Sequence, residues 1–347
     1  MKIYIRSAAV ISPQHTLGNE GFAANPVEYT GNKLQAIEPD YKNYIDAKLI
    51  RRMSRIIRMG VAAALQCLRN AGVENVDAIV TGTAYGCLED TGIFLSRLIE
   101  QNEEALSPTA FIQSTHNTVG AQIALTLQCT QYNNTFVHRA FSFESALLDS
   151  IMLLKEGEAS TVLTGGVDEI TKASFDILSR FGLYKRDETS NLQLIQSGTK
   201  GTIAGEGAGF FLLSNQSSEN NLAQLDGITT FYKPANIEET KAKIKAFLES
   251  HNLTIGDIDY VISGRNGDSR YDEIFNTLEA TIFKGANIVY YKHLCGEYPT
   301  STAFALGLAA DIIKPKAAEN KNDRQHVLIC NNYQNTHHSL ILLSPPQ

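Results

Sequence analysis

The sequence is poor in the features that mark several protein classes. Its five cysteines, Cys67, Cys87, Cys129, Cys295 and Cys330, are scattered and odd in number, and no C-x-x-C pair occurs. That spacing indicates neither a disulfide framework nor a zinc site, so buried free thiols are expected. No apolar run approaches the ~18 residues that a membrane-spanning helix needs. The first residues, MKIYIRSAAVISP, lack a sustained apolar core and a small-residue cleavage site, and they alternate like a strand. No signal peptide and a cytoplasmic protein are therefore expected. Basic residues are also short: 30 Lys and Arg against 37 Asp and Glu leave a net charge of −7. That balance argues against general nucleic-acid binding. No pattern calls for a metal or a cofactor.

What is present is the composition of a globular protein, 43% hydrophobic and 19% charged over 347 residues, long enough for two domains or two halves of one fold. Strand-like and helix-like patterns alternate. DAIVTGTAYG (77–86), ASTVLTGGVDE (159–169), IDYVISGRNGD (258–268), NIVYYKHLCGE (287–297) and HVLICNNYQN (326–335) each read as a buried strand running into a small or polar loop. The alternation predicts an α/β fold with a covered sheet, and ligand sites in such folds lie beyond the carboxyl ends of strands. Residues 44–72 read as one long amphipathic helix with Ile57, Val61, Ala64 and Leu65 facing inward. The polar stretch SNQSSENNLAQ (214–224) is the expected junction, dividing the chain into 1–215 and 216–347. No sequence repeat stands out.

One segment has the form of a nucleophile's seat. VHRAFSFESALLDS (137–150) joins a β-type run, Asn134–Val137, to a helix with apolar residues Ala146, Leu147, Ile151 and Leu154. A tight strand-to-helix turn exposes a reactive side chain at a helix N-terminus. The residue expected at this turn is Ala140, which has nothing to react with.

Several stretches together resemble the β-ketoacyl-acyl carrier protein synthases, of thiolase-like fold. Ser107-Pro108-Thr109 with Phe111, then Ser114 and Asn117, is similar to the segment ahead of that family's nucleophile. KEGEASTVLTGGVDE resembles the helix end and strand that follow it, and GTIAGEGAGFFLL (201–213) the glycine-rich strand turn closing the first half. YYKHLCGE resembles the lysine-and-histidine loop of the second half. The resemblance implies an α/β thiolase-like fold of two βαβαβαββ-type halves in a layered α-β-α-β-α arrangement.

The family's chemistry is decarboxylative condensation. A cysteine accepts an acyl chain as a thioester, and two histidines assist loss of CO2 and stabilise the negative charge on the thioester oxygen. Counting forward from Asn117, or back from Gly157 and Gly165, places the family's nucleophile at Ala140. The first histidine falls at Gly264 and the second at Glu297, while Lys292 matches the family's lysine. The C-terminal phenylalanine-and-glycine gate is replaced by NNYQNTHH (331–338), which includes Asn332. Losing a nucleophile alone lowers kcat by on the order of a million-fold, roughly 8 kcal/mol of barrier. No condensing activity by this subunit alone is expected.

Substitute groups are few. Ser142 and Ser145 are near the turn, but no base is placed beside them; His138 reads as packing or capping. Cys295, His337-His338 and Glu206 each have a structural reading at hand. Phe141 and Phe143 could wall a tunnel, fill a subunit interface or pack the core. Subunits of this family without the nucleophile are chain-length factors, so the resemblance implies pairing with an active synthase in fatty acid, polyketide or aryl-polyene synthesis. A divergent decarboxylase or acyltransferase, and a homodimeric acyl-binding scaffold, are the other readings. The resemblance also implies an acidic acyl carrier protein as partner. Arg51, Arg55 and Arg58, spaced as one helix face, are the candidate docking patch.

Overall fold

The structure is a computed structural model and describes residues 1–18, 22–104, 107–313 and 325–346. Ten strands form one sheet: β1 (Tyr4–Ile11), β2 (Ala78–Gly82), β3 (Tyr132–Phe136), β4 (Thr161–Asp168), β5 (Gly207–Ser214), β6 (Ala223–Tyr232), β7 (Tyr260–Ser263), β8 (Asn287–Tyr290), β9 (Val327–Tyr333) and β10 (His337–Ser344). Their order across the sheet is β8-β7-β9-β10-β6-β1-β5-β4-β2-β3. Two further two-residue strands, Thr30–Gly31 and Thr189–Ser190, pair with each other.

That order contains a duplication the sequence does not show. Read inward from its edge, the first half runs β3-β2-β4-β5-β1, and the second runs β8-β7-β9-β10-β6. Each label in the second half is the first-half label plus five. Hydrogen bonding repeats too: β2 is parallel to β3 and β4, β7 is parallel to β8 and β9, and the remaining pairs within each half are antiparallel. The halves join through β1 and β6 over only Tyr4–Gln224 and Ile5–Ala223.

The helices are α1 (Ala47–Ile50), α2 (Arg55–Ala71), α3 (Leu88–Glu100), α4 (Pro108–Gln113), α5 (Thr118–Leu127), α6 (Ser142–Glu156), α7 (Lys172–Arg180), α8 (Ile237–Glu249), α9 (Asp272–Ala280), α10 (Lys292–Cys295) and α11 (Thr302–Ile313). Strand alternation sorts the core into three layers of apolar contact. In β4, Val162 faces α6 and α11, while Leu163 faces α2 and α5. In β10, Ile341 and Leu343 face α6 and α11, while Leu340 and Leu342 face α8 and α9. Helix α11 is apolar nearly all round, as a helix buried between the two halves of the sheet must be. The result is the layered α-β-α-β-α, thiolase-like architecture.

The helix expected over 44–72 is in fact two. Asp46 caps α1 by accepting from Lys48 N, the chain breaks over 51–54, and α2 runs to Gly72, whose φ of 64° closes it. Periodicity does not register such a break, because the apolar spacing runs on through it although Leu49 of α1 is exposed and only the α2 face is buried. One close approach positions the site: Gly205 of the GEGAG turn packs on Gly296, where an added Cβ would lie 2.5 Å from Gly205 Cα. Glu297 N donates to Ile203 O at 2.8 Å and Gly205 N donates to Glu297 O at 3.0 Å. Only glycine lets these two loops cross so closely.

Candidate functional site

The first-half turn follows β3. Arg139 takes a φ of 48°, an uncommon conformation for a residue with a side chain, and Arg139–Phe141 form a single 3-10 turn ahead of α6. Ser142 ties the turn together: its Oγ accepts from His138 N and donates to Arg139 O, both at 2.8 Å. That hydroxyl is buried and fully occupied. Ala140 is 2% exposed and offers only a methyl group. Phe141 stands at the N-cap of α6, its ring centroid 4.8 Å from that of His337 and 5.6 Å from that of His138. Among Ala140, Phe141 and Ser142 there is no free nucleophile.

Phe143 belongs elsewhere. It is fully buried against Phe211 and lies in the central core, so the pocket or interface role is replaced by packing: one residue beyond Ser142, the helix has turned it inward. Asn332 is also buried; its Oδ1 accepts from Asn335 N and shapes the turn between β9 and β10.

The second-half residues do meet. Lys292 Nζ donates to Glu297 Oε1 and to Ser301 Oγ, each at 2.6 Å, and Asn266 Nδ2 donates to Glu297 Oε2 at 2.7 Å. Lys292 and Glu297 are both buried. Burial makes this pairing obligatory, since an uncompensated charge there is costly. Gly264 is close in space but closed to any side chain: a Cβ would lie 2.6 Å from Asn331 Oδ1. Asn331 is itself held, accepting from Tyr291 OH at 2.8 Å and donating to Thr302 Oγ1 at 2.9 Å. An imidazole at position 264 would have to displace that network.

Beside Asn266 and Glu297 lies a cavity of about 20 Å³, lined also by Tyr184, Thr202, Asp268 and Tyr333. That is the room of about one water molecule. Reading the sequence missed Asn266, Tyr184 and Tyr333, although Asn266 is only two positions past Gly264. Asp168 was also missed. It ties the halves, accepting from Ala84 N and Thr83 Oγ1 of the first half and from Thr300 Oγ1 of the second. Burial pushes its carboxyl up to about 6, against the pull of those hydrogen bonds. Glu144 is wholly buried on α6; Ser339 Oγ donates to its Oε1, and burial raises its pKa.

The remaining candidates are engaged structurally. Cys295 faces the core, and burial drives its thiol pKa up. His338 is buried and stacked on Phe231, whereas His337 meets Phe141 and Tyr232. Glu206 is bonded through both oxygens to Arg55 and also accepts from Ala36 N and Ile170 N. The three arginines do not share one helix face: Arg51 lies in the break between α1 and α2, Arg55 is held by Glu206 and Glu38, and Arg58 stacks over Tyr41. Among the described residues no cluster suits a metal ion, and no helix is long and apolar enough to cross a membrane.

Comparison with solved structures defines the class. The ishigamide ketosynthase/chain length factor superposes with a TM-score of 0.78 at 20% identity, covering 100% of this chain and 99% of that one. A beta-ketoacyl synthase from Burkholderia phymatum STM815 gives 0.79 at 14% identity, with 100% of both chains covered. A type II polyketide ketosynthase, solved with its acyl-carrier protein and bound to the hexaketide (AntDE:AntF), gives 0.74 at 14% identity over 99% of each chain. The fold is thus the thiolase-like fold of the ketosynthases. Residues 28–180 match the family model of the beta-ketoacyl synthase N-terminal domain. No curated protein matches in sequence.

Proposed function

We propose that this chain is a non-catalytic, chain-length-factor-like subunit that pairs with an active β-ketoacyl synthase in carrier-protein-dependent fatty acid, polyketide or aryl-polyene assembly. The observation that carries the reading is the pair of turns at the site. One presents Ala140, Phe141 and an engaged Ser142; the other commits both oxygens of Glu297 to Lys292 and Asn266. A cavity of about 20 Å³ has no room for an acyl thioester. Likeness to a ketosynthase/chain length factor supports the same reading. A pairing surface is at hand in β3, which among the described residues pairs with β2 alone and leaves its other edge open. Tyr132, Val137, Leu148 and Met152 add exposed apolar surface on that strand, the residue after it and α6.

Co-expression with an intact Cys-His-His synthase encoded nearby, followed by pull-down and a malonyl-carrier-protein condensation assay, tests this. A stable 1:1 complex that condenses, with no turnover by this chain alone, is expected. A homodimer that hydrolyses or decarboxylates thioesters unaided would overturn it.

A further inference from the structure

The second half carries a groove whose strand ends near the first-half turn, since Tyr232 meets His337, which packs on Phe141. It lies between the end of β6 and helix α8, has a volume of about 400 Å³, and is bounded by Ile228, Thr230 and Phe231 on one side and Lys243, Phe247 and His251 on the other. Its strand wall is an open sheet edge. β1 reaches β6 at Ala223 and Gln224, and Leu225 N donates to Ile3 O, so beyond Leu225 β6 pairs, among the described residues, with β10 alone. Lys233 N donates to Thr336 O, and the register pairs Tyr232 with His337, Phe231 with His338 and Thr230 with Ser339. Hydrogen-bonded pairs alternate along an antiparallel ladder. The amides of Phe231 and Thr229 therefore face β10, and those of Ile228, Thr230 and Tyr232 face outward along the groove.

The helix wall adds apolar surface and charge. Phe247 and Ala246 flank the strand, and His251 closes one end against Gly227, where an added Cβ would lie 2.3 Å from Nε2. His251 Nδ1 is 2.8 Å from Phe247 O; a carbonyl only accepts, so Nδ1 carries the proton and the ring is fixed. Lys243 in the groove and Lys233 at its mouth form no ion pair among the described residues, and no acidic side chain lines the groove. In a chain of net charge −7, this is a local reversal of sign.

We propose that this groove binds an extended peptide segment, apolar at alternate residues and acidic at its ends, which adds as a strand to the Ile228–Tyr232 edge of β6. The outward amides supply main-chain hydrogen bonds, Phe231 and Phe247 take alternate apolar side chains, and Lys243 selects the acidic residue. The proposed synthase partner would use the outer edge of β3, which β1, β5, β4 and β2 separate from β6 in the sheet order.

The test is fluorescence anisotropy on the full chain with a labelled Asp-Val-Thr-Val-Thr-Val-Asp peptide, and Lys-Val-Thr-Val-Thr-Val-Lys as the charge-reversed control. Thr230→Pro removes one outward N–H at a strand edge, where proline is tolerated. Lys243→Glu reverses the charge on an exposed helix position and keeps the test open should the proline variant fold poorly. Saturable binding of the acidic peptide is expected, at least tenfold weaker in either variant and for the basic peptide. No saturable signal, or folded Thr230→Pro binding as tightly as the parent, would overturn the proposal. So would binding of decanoate alone, unaffected by Thr230→Pro, which would make the groove a small-anion site.

Discussion

The turn from the third strand of a half into its central helix occurs twice in this molecule, at 137–142 after β3 and at 291–301 after β8. The two turns occupy equivalent places in duplicated topologies, yet hold opposite contents. In the first half the centre of the turn is hydrocarbon, Ala140 and Phe141, with Ser142 turned back on the backbone and His138 and Arg139 exposed beside it. In the second it is ionic, a buried Lys292–Glu297 pair cross-linked to Asn266 and Ser301. Strand order follows from which faces must be buried, and both halves solve that problem alike. The loops at the strand ends are free of that constraint, and so the chemistry diverges there.

The largest effect expected from breaking this contrast is at the ionic turn. Glu297→Ala leaves the Lys292 ammonium buried without its counter-ion and should cost about 3–5 kcal/mol in urea unfolding. Replacing both residues, Lys292→Met with Glu297→Leu, should cost less than Glu297→Ala alone; equal or larger loss would mean the charge pair is not the unit that matters. At the hydrocarbon turn the two phenylalanines should separate. Phe143→Ala empties core volume and should cost about 3–5 kcal/mol. Phe141→Ala removes a half-buried aromatic contact with His337 and should cost about 1 kcal/mol. Equal costs would put Phe141 in the core.

Acid should act on the halves in opposite directions. In the first, burial raises Asp168 to about 6 and Glu169 to about 7, so their contribution is full below the ordinary carboxyl range and is lost as pH rises through 6 to 7. In the second, burial lowers His293 and His338 to about 4, so their contribution is present above pH 6.5 and is lost as pH falls toward 4. Hydrogen exchange at pH 7 and pH 5 should therefore show protection falling more in β9 and β10 than in β4. His338→Leu should reduce the acid loss, and an unchanged pH profile in that variant would contradict the assignment.

The smallest effect is expected from restoring the missing thiol. Ala140→Cys, and separately Phe141→Cys at the N-cap, should give no condensation of malonyl-carrier protein. Gly264 and Glu297 still supply no imidazole. Turnover by either variant would show that one residue, rather than both turns, silences the site.

Reading the chain by pattern located β2, β4, β7, β8 and β9 because each is a short apolar run stopped by small or polar residues, a signal carried entirely by neighbours. The same logic marked the 137–150 turn and the Lys292 loop. It failed at 44–72, where one periodic stretch is two helices with Arg55 held on Glu206, 151 positions away. At the arginine triplet it gave one helix face where Arg51 lies outside α2, and spacing cannot show that Arg55 and Arg58 already have partners.

By itself, then, the sequence determined the alternation of strands and helices, the buried faces, and the absence of a cysteine or histidine where the resemblance requires one. Those properties depend on residues two to four apart, and local backbone geometry translates them directly. Only the tertiary structure decided that the two halves repeat one topology, that Asn331 bars any side chain at Gly264, and that Asn266 meets Glu297 across 31 positions. Such contacts join segments whose separation along the chain carries no periodic trace, and close packing fixes them only after both halves of the sheet have closed over α6 and α11.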